Sequence, residues 1–139
     1  MLDLGNWLDV EARLEPAALA PGEQGTLVVE ISVPRGCHVE SHEPSEPFLI
    51  PTTLELRGAE GVHVGPVSYP PDELRTFDWS PAVLRVYRGT VELTARVEVD
   101  SGAAPGSRRL TGSVRYQGCT ESLCFPPAEQ AAEAVLDVL

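Results

Sequence analysis

Thr90-Val91-Glu92-Leu93-Thr94-Ala95-Arg96-Val97-Glu98-Val99 alternates apolar and polar side chains along its whole length. Successive side chains of a β-strand point to opposite faces, so this stretch buries one face and wets the other. The same period of two runs through Leu27, Val29, Ile31 and Val33, and through Leu110, Gly112, Val114 and Tyr116. It recurs in Leu8, Val10, Ala12 and Leu14, and in Ala134, Leu136 and Val138. Weaker strand candidates are 36–40, 52–57, 61–68 and 82–88. Turn signals separate the runs: Ala20-Pro21-Gly22-Glu23, Val33-Pro34-Arg35-Gly36, Tyr69-Pro70-Pro71-Asp72, Arg88-Gly89, Ser101-Gly102 and Pro105-Gly106. Only 128–134 reads as a short helix candidate. Roughly eight or nine strands at this spacing predict an all-β fold, an immunoglobulin-like two-sheet antiparallel β-sandwich. The Cys…Trp…Cys pattern of antibody domains is absent.

The chain has 139 residues, the usual size of one domain, and is read as a single domain over 1–139. Its formal net charge is −11, and its ten basic residues are all Arg and scattered. Without a basic patch, nucleic acid is not an expected partner. No apolar run is long enough for a membrane span. Residues 1–7 lack the basic and apolar regions of a signal peptide, so an exported protein would carry its signal or anchor outside this sequence.

Two stretches resist the strand pattern, 41–51 and 69–82. Long irregular segments in compact domains are often functional. The second carries Phe77 and Trp79 among polar residues and prolines. The two rings either plug an open end of the sandwich or gate a site.

The strongest chemical signal is Tyr116-Gln117-Gly118-Cys119-Thr120-Glu121-Ser122-Leu123-Cys124-Phe125-Pro126-Pro127. Cysteines at C-x4-C spacing can flank a hairpin loop and face each other across antiparallel strands, within disulfide reach. A loop this short gains only about 2 kcal/mol from cross-linking, against about 4.7 kcal/mol for a loop of about 100 residues. That favours redox use over a staple. Pro126-Pro127 stiffens the backbone beside Cys124. A zinc site is a competing reading, drawing on Cys37, His38, His42 and His63, but adjacent strand residues face apart and the expectation is no metal. Cys37 reads as a small buried apolar residue.

These residues resemble the N-terminal, periplasmic domain family of the thiol:disulfide interchange protein DsbD. The family carries a Tyr-Gln-x-Cys…Cys-aromatic-x-Pro signature, matched by Tyr116, Gln117, Cys119, Cys124, Phe125 and Pro127, with Pro126 beside them. Further matches are Gly36-Cys37-His38-Val39 leading to Leu49-Ile50-Pro51-Thr52, and Tyr69-Pro70 followed by Val86-Tyr87-Arg88-Gly89. They run in family order over roughly 20–139. The resemblance implies an immunoglobulin-like fold with a cap loop over a hairpin cysteine pair, cycling between dithiol and disulfide without a bound cofactor. It implies that Cys124 forms the mixed disulfide and Cys119 resolves it. It also implies that the cap, here 72–80, shields the pair with Phe77 or Trp79. Electrons would arrive from a thioredoxin-like domain and pass to disulfide isomerases or the thioredoxin-like proteins of cytochrome c maturation, in the periplasm. The sequence departs from the family at position 37, usually a large aromatic and here Cys.

No Lys stands near the pair, and Arg115 shares its face only if Gly118 makes no bulge. The thiols are therefore expected to be weakly activated, with selectivity set by cap opening and docking. Two other readings remain: a non-catalytic immunoglobulin-like binding module with a structural hairpin disulfide, and a metal chaperone using His38 and His42.

Overall fold

The computed structural model describes residues 7–139, and every regular element among them is a β-strand. In chain order they are β1 (Asp9–Glu15), β2 (Ala18–Leu19), β3 (Gln24–Ser32), β4 (Cys37–Glu40), β5 (Thr53–Arg57), β6 (Val62–Ser68), β7 (Glu73–Phe77), β8 (Ser80–Tyr87), β9 (Thr90–Val99), β10 (Gly106–Tyr116), β11 (Gly118–Thr120) and β12 (Ala128–Val138).

Two four-stranded sheets form the sandwich, ordered β1-β3-β9-β6 and β2-β12-β10-β5. The alternating residues do what their period demands. Leu27, Val29 and Ile31 of β3 and Leu93, Val97 and Val99 of β9 meet Leu110 and Val114 of β10 and Leu136 and Val138 of β12 in one core. Each such side chain contributes about 1.5–3 kcal/mol when fully buried. Gly112 lets β5 press close, since a Cβ there would stand 2.8 Å from the Leu56 side chain and 2.9 Å from the Glu55 carbonyl.

A third, smaller sheet, ordered β11-β4-β8-β7, carries the candidate site. The turn that launches β4 is a backbone bond from the Cys37 N–H to the Pro34 carbonyl, 3.0 Å. It places Gly36 at φ 84°, which a glycine adopts without strain. Leu49, Phe77, Leu84 and Val86 form a separate core cluster in this region, flanked by Trp79 and Ala82.

The structure corrects the sequence reading at two places. Residues 128–134 are strand, not helix: Ala128–Val138 pairs along its whole length with Gly106–Tyr116. The alternating burial of Ala132, Ala134, Leu136 and Val138 outweighs the helical propensity of alanine. Residues 69–82 are not an irregular segment, because Glu73–Phe77 and Ser80–Tyr87 form an antiparallel hairpin with an irregularity between Arg75 and Phe77. Prolines 70 and 71 and the register shift hid its period.

The β12 assignment has a direct check by thermal or denaturant unfolding. Leu136→Ala, in the core, is expected to cost about 2–5 kcal/mol. Val135→Ala, on the exposed face of the same strand, should stay within about 0.5 kcal/mol.

Candidate functional site

β10 and β12 pair as far as Tyr116 and Ala128, and the residues between them leave the sheet. β11 crosses to the third sheet, with Gly118 opposite Val39, Cys119 opposite His38 and Thr120 opposite Cys37. The chain then turns back. Thr120 N–H donates to the Leu123 carbonyl at 2.8 Å, and Phe125 N–H donates to the Gly118 carbonyl at 2.8 Å. The Thr120 hydroxyl accepts from the amides of Ser122 and Leu123, both at 3.3 Å. Cys119 and Cys124 face each other across this small hairpin and are disulfide-bonded, with Cα atoms 4.0 Å apart.

The two sulfurs sit in unlike places. Cys119 is 1% exposed, whereas Cys124 is exposed at the rim beside Leu123, itself 49% exposed. The flanking residues hold the hairpin in place. Gln117 Nε2 donates to the Phe125 carbonyl at 3.1 Å. The hydroxyl of buried Tyr116 accepts from the Leu8 amide at 3.3 Å. Trp7 lies against Gly118, where any Cβ would collide with the indole, and its ring centroid is 6.0 Å from Tyr116 and 6.4 Å from Phe125. Pro126 is exposed and precedes β12. Arg115 is exposed on β10 opposite Glu129, while Cys119 is buried, so the two do not share an environment.

Phe77 and Trp79 sit at the turn of the β7–β8 hairpin. Both rings stack on His38, with centroids at 4.1 Å for Phe77 and 6.3 Å for Trp79, and they stack on each other at 5.7 Å. They thus cover the residue paired with Cys119. A shallow cleft separates the two hairpins, lined by Leu74, Arg75, Thr76 and Val83 on one side and Glu121 on the other.

The residues considered for zinc are dispersed. His42 donates from Nδ1 to the Thr52 carbonyl at 3.0 Å and stacks on Tyr69 at 3.6 Å. His63 pairs with Asp100 at 2.9 Å on the surface. Cys37 faces away from His38 toward the main core, where desolvation pushes its thiol up from the ordinary range. His38 instead meets Glu40 and Cys119, with one polar or sulfur atom from each inside a 4.8 Å group. The sulfur is committed to the disulfide, so the group does not amount to a coordination shell. Sequence reasoning missed Glu40 and Trp7. For Glu40 the signal was present, since His38 and Glu40 are two apart in a strand and share a face.

The profile of the family described as thiol:disulfide interchange protein DsbD, N-terminal, matches residues 6–136. The chain belongs to the DsbD N-terminal family. No curated protein matches at a significant level. Among solved structures, the N-terminal periplasmic domain of ScsB from Proteus mirabilis is 10% identical with a TM-score of 0.50, over 89% of this chain and 44% of that one. The chain thus spans less than half of the ScsB chain it matches. A type I cohesin of ScaB from Pseudobacteroides cellulosolvens is 8% identical with a TM-score of 0.53, over 94% and 92% of the two chains. The DsbD N-terminal domain of Neisseria meningitidis in its reduced form is 18% identical with a TM-score of 0.44, over 91% and 87%. The likeness to the ScsB domain and the cohesin, at such low identity, shows the fold alone. It is the family match that makes this a thiol:disulfide interchange domain of the DsbD N-terminal family. No helix among the described residues is long and apolar enough to cross a membrane.

Two outcomes follow from this geometry. Gly118→Ala should lower stability by about 1–3 kcal/mol through overpacking against Trp7, read by thermal denaturation and by tryptophan fluorescence. In the reduced protein at about pH 8, Cys37 should react with iodoacetamide more slowly than Cys124, because its raised pKa leaves less thiolate, read by mass spectrometry of the peptides.

Proposed function

We propose that Cys119 and Cys124 cycle between disulfide and dithiol to relay reducing equivalents. The donor is a thioredoxin-like domain, and the acceptors are extracytoplasmic disulfide-containing proteins such as disulfide isomerases and the thioredoxin-like proteins of cytochrome c maturation. No bound cofactor takes part. The observation that carries the reading is the unequal exposure of the two cysteines: Cys119 is 1% exposed and Cys124 is an exposed residue at the rim.

Exchange proceeds by in-line attack of a thiolate on one sulfur. A folded partner reaches Cys124, which makes it the sulfur of the mixed disulfide, and Cys119 is placed behind it to resolve that intermediate. Phe77 and Trp79 form the gate, standing on His38 beside the buried sulfur. Exposed Leu123 and the apolar rim of the neighbouring cleft, Leu74 and Val83, give a partner something to grip. The domain works in the periplasm or another extracytoplasmic space, where oxidised acceptors persist.

Equilibration with glutathione or thioredoxin tests the relay. The pair should show a potential near thioredoxin's about −270 mV; a value far below about −300 mV would mark a permanent structural bond instead. A second measurement addresses docking. Leu123→Glu should slow reduction by thioredoxin about tenfold, the equivalent of about 1.4 kcal/mol, while leaving reduction by dithiothreitol nearly unchanged. Equal slowing by both reductants would remove Leu123 from the docking surface.

A further inference from the structure

His38 and Glu40 share one face of β4 and are buried, at 1% and 0% exposure. Nε2 of His38 stands 3.5 Å from Oε2 of Glu40. Neither Nε2 nor either Glu40 oxygen has a hydrogen-bond partner among the described residues. A buried polar group left in that state has lost its water without gaining a partner, and so destabilises the fold. Two of them side by side in a core, against a reactive sulfur, point to a use other than stability. That sulfur is Cys119, opposite His38 in register and within the same 4.8 Å group.

We infer that the His38–Glu40 pair stores the proton of Cys119 during exchange. The inference rests on the relay proposed above. When the pair holds one shared proton it carries no net charge, which suits a buried site. In the reducing half-reaction a donor thiolate attacks Sγ of Cys124. The Cys119–Cys124 bond breaks, and its electron pair leaves on Sγ of Cys119. That sulfur is shut off from water, so it takes the shared proton from the pair. The donor's second thiolate then closes the donor disulfide and releases the Cys124 thiolate, which solvent protonates. In the onward half-reaction Cys124 gives its proton back to solvent, and its thiolate attacks one sulfur of an acceptor disulfide, whose other sulfur leaves as a thiolate that solvent protonates. Cys119 returns its proton to the pair as its sulfur attacks Cys124, and the acceptor's second thiolate leaves. Two electrons have moved from donor dithiol to acceptor disulfide, and the pair is as it began.

Charged groups on the surrounding elements are engaged elsewhere. On β8, Arg85 bonds Asp72 at 3.0 Å, with Glu43 at 3.8 Å, and just past the end of β8 Arg88 bonds Glu73 of β7 at 2.9 Å. Arg75 of β7 acts on Glu73. Asp78 at the hairpin turn and Glu121 in the cysteine loop are exposed. On β11 the titratable group is Cys119 itself.

The test uses reduced protein carrying Cys37→Ala and the chromogenic disulfide dithiobis-nitrobenzoate. One coloured thiolate leaves when Cys124 is capped, and a second leaves when Cys119 attacks that mixed disulfide. With a local proton acceptor, the second phase should change little between about pH 6 and pH 8. In His38→Phe it should slow about a hundredfold near pH 6.5 and rise about tenfold per pH unit, because the thiolate must then form by exchange with bulk solvent. A parent-like profile in His38→Phe overturns the inference. So does full restoration by His38→Gln, which fills the space and hydrogen-bonds but cannot carry the proton. Circular dichroism checks folding, and Glu40→Gln supplies the same comparison, with the same steep profile expected, if His38→Phe does not fold. If the parent itself releases no second thiolate, Cys119 does not resolve and the relay falls first, which separates the two failures.

Discussion

Tyr116 and Ala128 are the last partners of the β10–β12 ladder, and whatever lies between them must leave the sheet. That constraint organises the site. The excursion has to satisfy its own backbone, which it does with the bonds of Thr120, Leu123, Phe125 and Gly118. It has to lie somewhere, and β11 finds an open edge on β4. The indole of Trp7 fills the space beneath, available only because residue 118 has no side chain. The disulfide hairpin is thus held from three sides: the main sandwich, the third sheet, and Trp7 just ahead of β1.

Much of this was legible in the alternation. Leu93, Val97, Leu110, Leu136 and their neighbours announce their buried faces by period alone, and the core follows. The hairpin geometry of the cysteines was legible from spacing, since four intervening residues suit a tight turn. What alternation could not give was the third sheet. β11 is three residues long and β4 four, too short for a period to stand out. Most of β8 was marked by the candidate at 82–88, but its partner β7 was hidden, because two prolines precede it and the register shifts near the tip of the hairpin. Ala-rich 128–134 misleads because local propensity and tertiary burial point opposite ways there, and burial of the inward face stabilises more than propensity does.

The surroundings of the pair were less legible than the pair itself. In sequence His38 stands next to Cys37 and near His42. Its actual neighbours, Cys119 and Phe77, are brought in by strand pairing and by a hairpin from far along the chain. The matched tyrosines have a similar explanation. Tyr69 stacks on His42 and accepts from the Leu54 amide at 3.0 Å. The Tyr87 hydroxyl accepts from the His42 amide at 3.3 Å, and Thr52 donates to the Glu40 carbonyl at 2.6 Å. These residues hold the 41–52 connection against β4 and so fix the backbone from which His38 and Glu40 project.

The cluster of Leu49, Phe77, Leu84 and Val86 is separate from the main core. So small a cluster buries little apolar surface, and local opening there is expected to cost less free energy than unfolding the sandwich interior. The two clusters would then act as cooperative units of unequal strength. A substitution deep between the two large sheets and one beneath Phe77 would be felt by different measurements: the first by the melting transition, the second by amide exchange of the β7–β8 hairpin under fully native conditions.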